Sequence, residues 1–172
     1  AKTDDEPSED FTVNTPEVNP ENSISFLQFG NWSPDVGNLD FYIGNNTTPI
    51  VENLAYQEFT QSLIVNSGEL SVIARPAGSG ADGDVLSELN WSFQGNSSWT
   101  VSGIGLQSEF AFWVEPISII RTDYNDQARI RVINLNATRQ RATVNTDSGN
   151  ELANGINWVG LKDTMVDPAT YT

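Results

Sequence analysis

Hydrophobic and polar residues alternate in short runs along most of the chain from residue 24 onward. This period of two is typical of β-strands that bury one face, and no stretch shows the period of an amphipathic helix. Turn-forming residues separate the runs, for example at 44–46, 66–68 and 78–83. Many short strands joined by such turns predict an all-β protein, built as an immunoglobulin-like antiparallel β-sandwich.

The predicted strands are 24–29, 39–43, 61–65, 70–75, 85–93, 98–103, 110–114, 129–135, 141–145, 158–161 and 170–172. Apolar residues on their alternating faces predict the core. These residues are Phe26, Phe41, Ile43, Leu63, Val72, Trp91, Trp99, Val101 and Trp113.

Two parts of the chain repeat each other. Residues 26–31 and 130–135 are both short strands that lead into a polar turn, and residues 65–71 parallel 166–172. The first copy continues through further strands, whereas the second stops. We therefore expect an acidic N-terminal arm (1–23), a complete β-sandwich module (24–126) and a truncated second module (127–172). An incomplete module leaves an open sheet edge, which is a template for another strand.

Several motifs, in this order and spacing, resemble one known family. They are S-P-D at 33–35, L-D-F-Y-I-G at 39–44, L-A-Y at 54–56, S-G-E-L-S-V at 67–72, W-T-V at 99–101, A-R-I-R-V-I-N at 128–134 and P-A-T-Y at 168–171. Over about residues 24–172 the chain resembles domain of unknown function family 4397, with Asn134 at a position where the family has histidine. The resemblance implies immunoglobulin-like modules of exported bacterial and archaeal proteins, without established catalytic residues.

Charge narrows the range of partners. The net charge is −15 and the isoelectric point is near 4.1. Phosphate backbones and anionic lipids both attract clustered Lys and Arg, so we expect neither nucleic acid nor a lipid surface as a partner. No apolar run approaches the ~20 residues that span a bilayer. The chain begins at Ala1, which we interpret as the result of leader removal and hence of export to the cell surface or beyond.

The sequence offers little catalytic chemistry. It contains no His and no Cys, which removes the usual general base, thiol nucleophile and transition-metal ligands. The oxygen-rich turns 81–84 and 123–126 do not complete a calcium loop. We therefore predict a protein that is not an enzyme, with no catalytic residue, cofactor or metal.

Six N-glycosylation sequons are present. Asn45, Asn96 and Asn136 lie in predicted turns, where a glycan would project. The other three are Asn31, whose sequon is followed by Pro, Asn46 and Asn90.

The arm carries seven carboxylates and one Lys, yet Phe11-Thr12-Val13-Asn14 alternates like a strand and Val18 extends its apolar side. The leading hypothesis is a structural subunit that polymerises with copies of itself. The arm would donate this strand to the truncated module of a neighbour, with Phe11 and Val13 inward and Thr12 and Asn14 outward. Two alternatives stay open. The arm can fold back in cis, or the protein is a monomeric secreted or cell-surface module that binds polysaccharide or protein through exposed aromatics.

Overall fold

The computed structural model describes residues 11–19, 23–117, 127–146 and 149–166. The chain divides into two compact units, unit 1 (Ala1–Ile117) and unit 2 (Ser118–Thr172). This boundary lies earlier than the predicted one after residue 126, and the arm clusters with unit 1.

The described strands of unit 1 are β1 (Thr12–Val13), β2 (Ile24–Trp32), β3 (Leu39–Ile43), β4 (Val51–Leu54), β5 (Leu63–Asn66), β6 (Gly68–Pro76), β7 (Ser87–Phe93), β8 (Ser98–Ile104) and β9 (Ala111–Ile117). Those of unit 2 are β10 (Ala128–Ile133), β11 (Ala142–Asn145), β12 (Glu151–Ile156) and β13 (Leu161–Val166). Apart from a single 3-10 turn at Gln107–Glu109, no helix occurs in these ranges. The all-β prediction is confirmed.

Unit 1 is a sandwich of two sheets. One sheet has the strand order β1-β4-β3-β6-β7, and the other has the order β5-β2-β8-β9. Their pairings are antiparallel except that of β2 with β8, which is parallel from Phe26 beside Ser98 to Trp32 beside Ile104. The long connection between β2 and β8 allows both strands to run in the same direction. The predicted sandwich is therefore confirmed, but it is not wholly antiparallel.

The core lies between the two sheets. Leu39 and Phe41 of β3 face Leu27 and Phe29 of β2, and all four side chains are fully buried. The rings of Phe29 and Phe41 bridge the sheets with centroids 5.1 Å apart. Burying each such side chain stabilises the fold by about 1.5–3 kcal/mol. This face of β2 corrects one core prediction, because Phe26 lies on the other face and is only half-buried.

The remaining predicted core residues are partly confirmed, because some are buried, some are half-buried and one is exposed. Phe41, Ile43, Val72 and Val101 are buried, while Leu63, Trp99 and Trp113 are half-buried. The prediction for Trp91 is wrong, because its side chain is 40% exposed. It lies on β7, the last strand of its sheet, and Phe93 takes the interior position two residues later.

Unit 2 consists, in its described residues, of two antiparallel pairs, β10 with β13 and β11 with β12. Ala153, Ile156 and Val166 form its buried interior. The predicted strand 158–161 is wrong, since β13 begins only at Leu161, and the predicted strand 170–172 lies outside the described residues. Strands β4 and β12 were not predicted, and of β13 only Leu161 was.

Candidate functional site

Residues 11–14 of the N-terminal arm lie along unit 1 of their own chain. Strand β1 pairs antiparallel with β4 at the edge of the five-stranded sheet, with Thr12 opposite Glu52 and Val13 opposite Val51. The N–H of Asn14 continues the ladder by donating to the carbonyl of Ile50 at 3.0 Å. In this structure, therefore, the arm takes a cis position, and its strand does not lie on unit 2.

The side chains of the arm are held unequally. Phe11 packs half-buried against the core of unit 1, and the Asn14 Nδ2 donates to the carbonyl of Pro49 at 2.8 Å. Val18 is half-buried, Thr12 is exposed, and Val13 is 36% exposed. The expected inward pair is thus divided, because Phe11 reaches the core and Val13 stays at its margin. The described strand is only two residues long, so these few contacts hold it.

Two buried asparagines organise the strands of both units in the same way. In unit 1 the Asn31 Nδ2 donates to the carbonyls of Gly37 and Leu54 at 3.0 and 3.1 Å, and its Oδ1 accepts the N–H of Ser33 at 3.2 Å. In unit 2 the Asn134 Nδ2 donates to the carbonyls of Gln140 and Ile156 at 2.7 and 2.9 Å, and its Oδ1 accepts the N–H of Asn136 at 3.1 Å. The Asn31 amide therefore joins the end of β2 to the end of β4, and the Asn134 amide joins the residue after β10 to the end of β12.

Within the described ranges, the sheets of the two units differ in how many strands they contain. In unit 1, β3 pairs with β4 on one side and β6 on the other. In unit 2, β11 pairs with β12 alone as far as the structure describes the chain. Leu161 and Met165 of β13 are 38% and 39% exposed. Open ladder edges and exposed apolar side chains together favour association with another strand.

A second candidate surface surrounds Trp91. A groove of about 370 Å³ on strands β6 and β7 is lined by Glu69, Ser71, Asn90, Trp91 and Ser92. The indole of Trp91 meets Trp99 edge to face, with centroids 6.2 Å apart, which fixes its orientation. The alternation pattern predicted Trp91 as a core residue, whereas its side chain lines this groove. An oriented indole beside polar groups can stack on a flat ligand face.

The structure separates the sequons into two groups. Asn31 is fully buried, and its Nδ2 donates to two carbonyls. The prediction of Asn31 as a glycan acceptor is therefore wrong for the folded protein. The other five asparagines are exposed, namely Asn45, Asn46, Asn90, Asn96 and Asn136. The Oδ1 of Asn136 also accepts the N–H and the hydroxyl of Thr138, at 3.0 and 2.8 Å.

Buried ionisable groups of unit 1 have structural partners. The carboxylate of Asp40 is buried and accepts the N–H groups of Asn53 and Gly78 at 2.8 and 2.9 Å. Burial raises the pKa of the neighbouring Tyr42, and the charge of Asp40 raises it further. The guanidinium of Arg75 lies 5.7 Å from the centre of the Tyr42 ring. The sequence did not predict this cluster, because alternation places Asp40 and Tyr42 on the solvent face of β3.

One ion-pair cluster lies on unit 2. The Asp163 carboxylate contacts Arg129 and accepts a hydrogen bond from the Arg131 Nε at 2.8 Å. These two arginines hold the pKa of Asp163 at about 2, below its ordinary value of 3.8. The cluster joins β10 to β13 across their register.

Metal ligands and membrane spans are the remaining candidate features. Within the described ranges, no group of three or more His, Cys, Asp or Glu side chains is placed to hold a metal ion. The candidate turn 123–126 lies outside those ranges. Among the residues that the structure describes, no helix has the length and apolar character needed to cross a membrane.

Comparison with known proteins gives the family. None of the curated proteins matches this sequence. The model of the family described as Domain of unknown function (DUF4397) matches residues 25–144, more than two thirds of the chain, from β2 in unit 1 to β11 in unit 2. The protein therefore belongs to the DUF4397 family.

Proposed function

We propose that the protein is a structural subunit of an extracellular filament or surface assembly, in which the N-terminal strand of one copy adds to unit 2 of a neighbour. The role is not catalytic and needs no cofactor. The observation that carries the proposal is the weak edge position of β1, which two register pairs and the bonds of Asn14 hold on β4. Each such bond contributes about 1 kcal/mol and the half-buried Phe11 adds roughly as much, so release of this strand costs a few kcal/mol.

The form of the assembly follows from the contact. A strand that leaves one copy and enters a different surface on the next makes a heterologous interaction. Repetition of that interaction gives an open filament unless the rotation between copies closes a ring. Export remains part of the proposal and is supported by the five exposed sequons.

Electron microscopy and light scattering test the proposal directly. Full-length protein should form fibres or ladders as its concentration rises, while a variant that lacks residues 1–20 should stay monomeric. Adding the peptide of residues 9–18 to that variant should raise its melting temperature in proportion to the logarithm of peptide concentration above Kd. Fibres from the deletion variant, or a full-length protein that stays monomeric at millimolar concentration, would refute the strand-donation proposal.

A second candidate function rests on the Trp91 groove. In this alternative the protein is a monomeric binding module, and Trp91 stacks on a sugar ring of a polysaccharide. Glu69 and Asn90, which line the same groove, would hydrogen-bond the sugar hydroxyls. A panel of neutral polysaccharides should then raise the melting temperature of the native protein but not that of Trp91→Ala. If no polysaccharide shifts the melting temperature of the native protein, this alternative fails.

A further inference from the structure

Strand β12 of unit 2 is the structural counterpart of β4 of unit 1. Each pairs with its neighbour through an irregular register, and the irregularity contains a residue with positive φ, Asn53 at 65° and Gly155 at 61°. The next residues, Leu54 and Ile156, both supply the carbonyl that accepts the buried asparagine amide. A strand-for-strand correspondence therefore extends to the bulge itself.

The turn that follows confirms the alignment. Gln57 donates its N–H to the carbonyl of Asn31, and Val159 donates its N–H to the carbonyl of Asn134, in each case at 2.8 Å. Both donors have positive φ, at 68° and 50°. In this alignment Val51 corresponds to Ala153, and both are fully buried. Glu52 then corresponds to Asn154, and both are exposed.

The two strands differ in what lies on their outer edges. Strand β4 carries β1 on the side away from β3. The same side of β12 has no partner strand within the described ranges. We propose that this edge of β12 accepts β1 of a second copy of the chain, in the register that β1 adopts on β4. This inference rests on the proposed function and names the acceptor.

The register fixes the contacts. Thr12 would lie opposite Asn154 and Val13 opposite Ala153, while the N–H of Asn14 donates to the carbonyl of Leu152. Phe11 would then lie opposite Gly155, where a side chain is absent and the space beside the backbone is open. An aromatic ring beside an edge glycine covers backbone that is otherwise solvated.

Charge favours unit 2 over unit 1 as the acceptor. Six of the eight Lys and Arg residues and six of the 23 carboxylates lie in unit 2, so its net charge is zero and unit 1 carries the whole −15. The arm itself is acidic, with Glu9 and Asp10 directly before Phe11. An acidic strand is repelled less by a neutral unit than by an acidic one.

The local charges at the two edges point the same way. The antiparallel course would place the residues before Phe11 on the side of Asn157, whose Oδ1 accepts a hydrogen bond from the exposed Arg141 at 2.9 Å. At the matching end of β4, Glu58 stands where unit 2 has Gly160, and its carboxylate accepts the N–H of Ala55 at 3.0 Å. The segment that follows β12 thus has the cation Arg141 beside it, directly before β11, whereas the segment that follows β4 has a carboxylate.

Disulfide trapping tests the acceptor, because the natural chain contains no cysteine. Full-length Thr12→Cys is mixed with full-length Asn154→Cys, Glu52→Cys or Lys162→Cys and oxidised, and interchain disulfides are identified by peptide mass spectrometry. A disulfide needs Cα atoms within about 4.4–6.8 Å, so it reports the register. We expect the link between positions 12 and 154 to dominate, and Lys162→Cys, on the other sheet, to give none.

The outcomes separate the two proposals. If copies assemble and Thr12→Cys links only to Glu52→Cys of another copy, strand donation stands and β12 as acceptor is wrong. If no interchain link forms and the native protein stays monomeric, both fail. A second measurement avoids cysteines: Arg141→Glu should slow assembly by roughly 10-fold at low salt, whereas Lys162→Glu, the same charge change on β13, should not. Equal effects of the two variants would overturn the proposed edge.

Discussion

Replacing Asn31 tests whether its buried side-chain amide stabilises unit 1. Its side chain is fully buried, and it hydrogen-bonds two segments, the β2–β3 connection through Ser33 and Gly37 and the end of β4 through Leu54. Asn31→Ala removes all three of these hydrogen bonds. Each lost hydrogen bond costs about 1 kcal/mol, and more where the abandoned group stays dry. We therefore expect a loss of about 3–5 kcal/mol in the free energy of unfolding of unit 1.

Urea unfolding followed by hydrogen exchange of peptides from β2 and β4 measures this loss. Asn38→Ala is the matched control, because its Nδ2 donates a single exposed bond, to the Asn53 Oδ1 at 2.9 Å, and its removal should cost less than about 1 kcal/mol. Asn134→Ala should reproduce the larger effect in peptides from β10 and β12. If Asn31→Ala costs no more than the control, the amide does not organise the strands as argued.

Three other predictions follow from side chains described above. Asp163→Asn should lower the free energy of unfolding by up to about 1 kcal/mol at pH 7, since the ion pair is partly exposed. Because the pKa of Asp163 is lowered, this stabilisation is present above pH 3.8 and disappears as the pH falls through about 2. The unfolding curves of the native protein and the variant should therefore converge at that pH. Phe93→Ala should cost about 3–5 kcal/mol in thermal unfolding, and Trp91→Ala less than half of that, because Trp91 is 40% exposed; the reverse order would show that Trp91, and not Phe93, holds the interior position of β7. Gly103→Ala should cost about 1–3 kcal/mol, because its Cβ would lie 2.5 Å from the Phe110 Cζ, and an unchanged melting temperature would contradict that packing.

Simple alternation located the strands whose pairing is regular. Strand β3 was predicted with its observed bounds, because Leu39, Phe41 and Ile43 face the core without interruption. The same rule failed for β4 and β12. Their buried residues are three apart, Val51 to Leu54 and Ala153 to Ile156, because a bulge places an extra residue with positive φ between them. A bulge changes the side-chain period, so a search for period two passes over it.

The choice of face was harder to predict than the strand. Strand β2 has apolar residues on both faces, and the sequence does not say whether Phe26 or Phe29 meets the second sheet. Trp91 was misplaced for a related reason. Alternation assigns Trp91 and Phe93 to one face, but β7 is the edge strand of its sheet, and of these two residues only Phe93 is buried. Burial at the margin of a sandwich depends on the extent of both sheets, which is a tertiary property.

The cis position of the arm bears on how assembly would be controlled. A strand tethered to its own acceptor competes at an effective concentration of roughly millimolar. A neighbour present at micromolar concentration must therefore be favoured by about 4 kcal/mol to capture it. The main-chain ladder on β12 would match the one on β4, so it supplies little of this difference. The difference must come from what the edges do not share, namely Gly155 in place of Asn53, Arg141 beside Asn157 where unit 1 has Glu58 beside Ala55, and a unit without net charge. Two of these three terms are electrostatic and weaken with ionic strength. A subunit of this kind would stay self-capped when dilute and would exchange strands only when crowded.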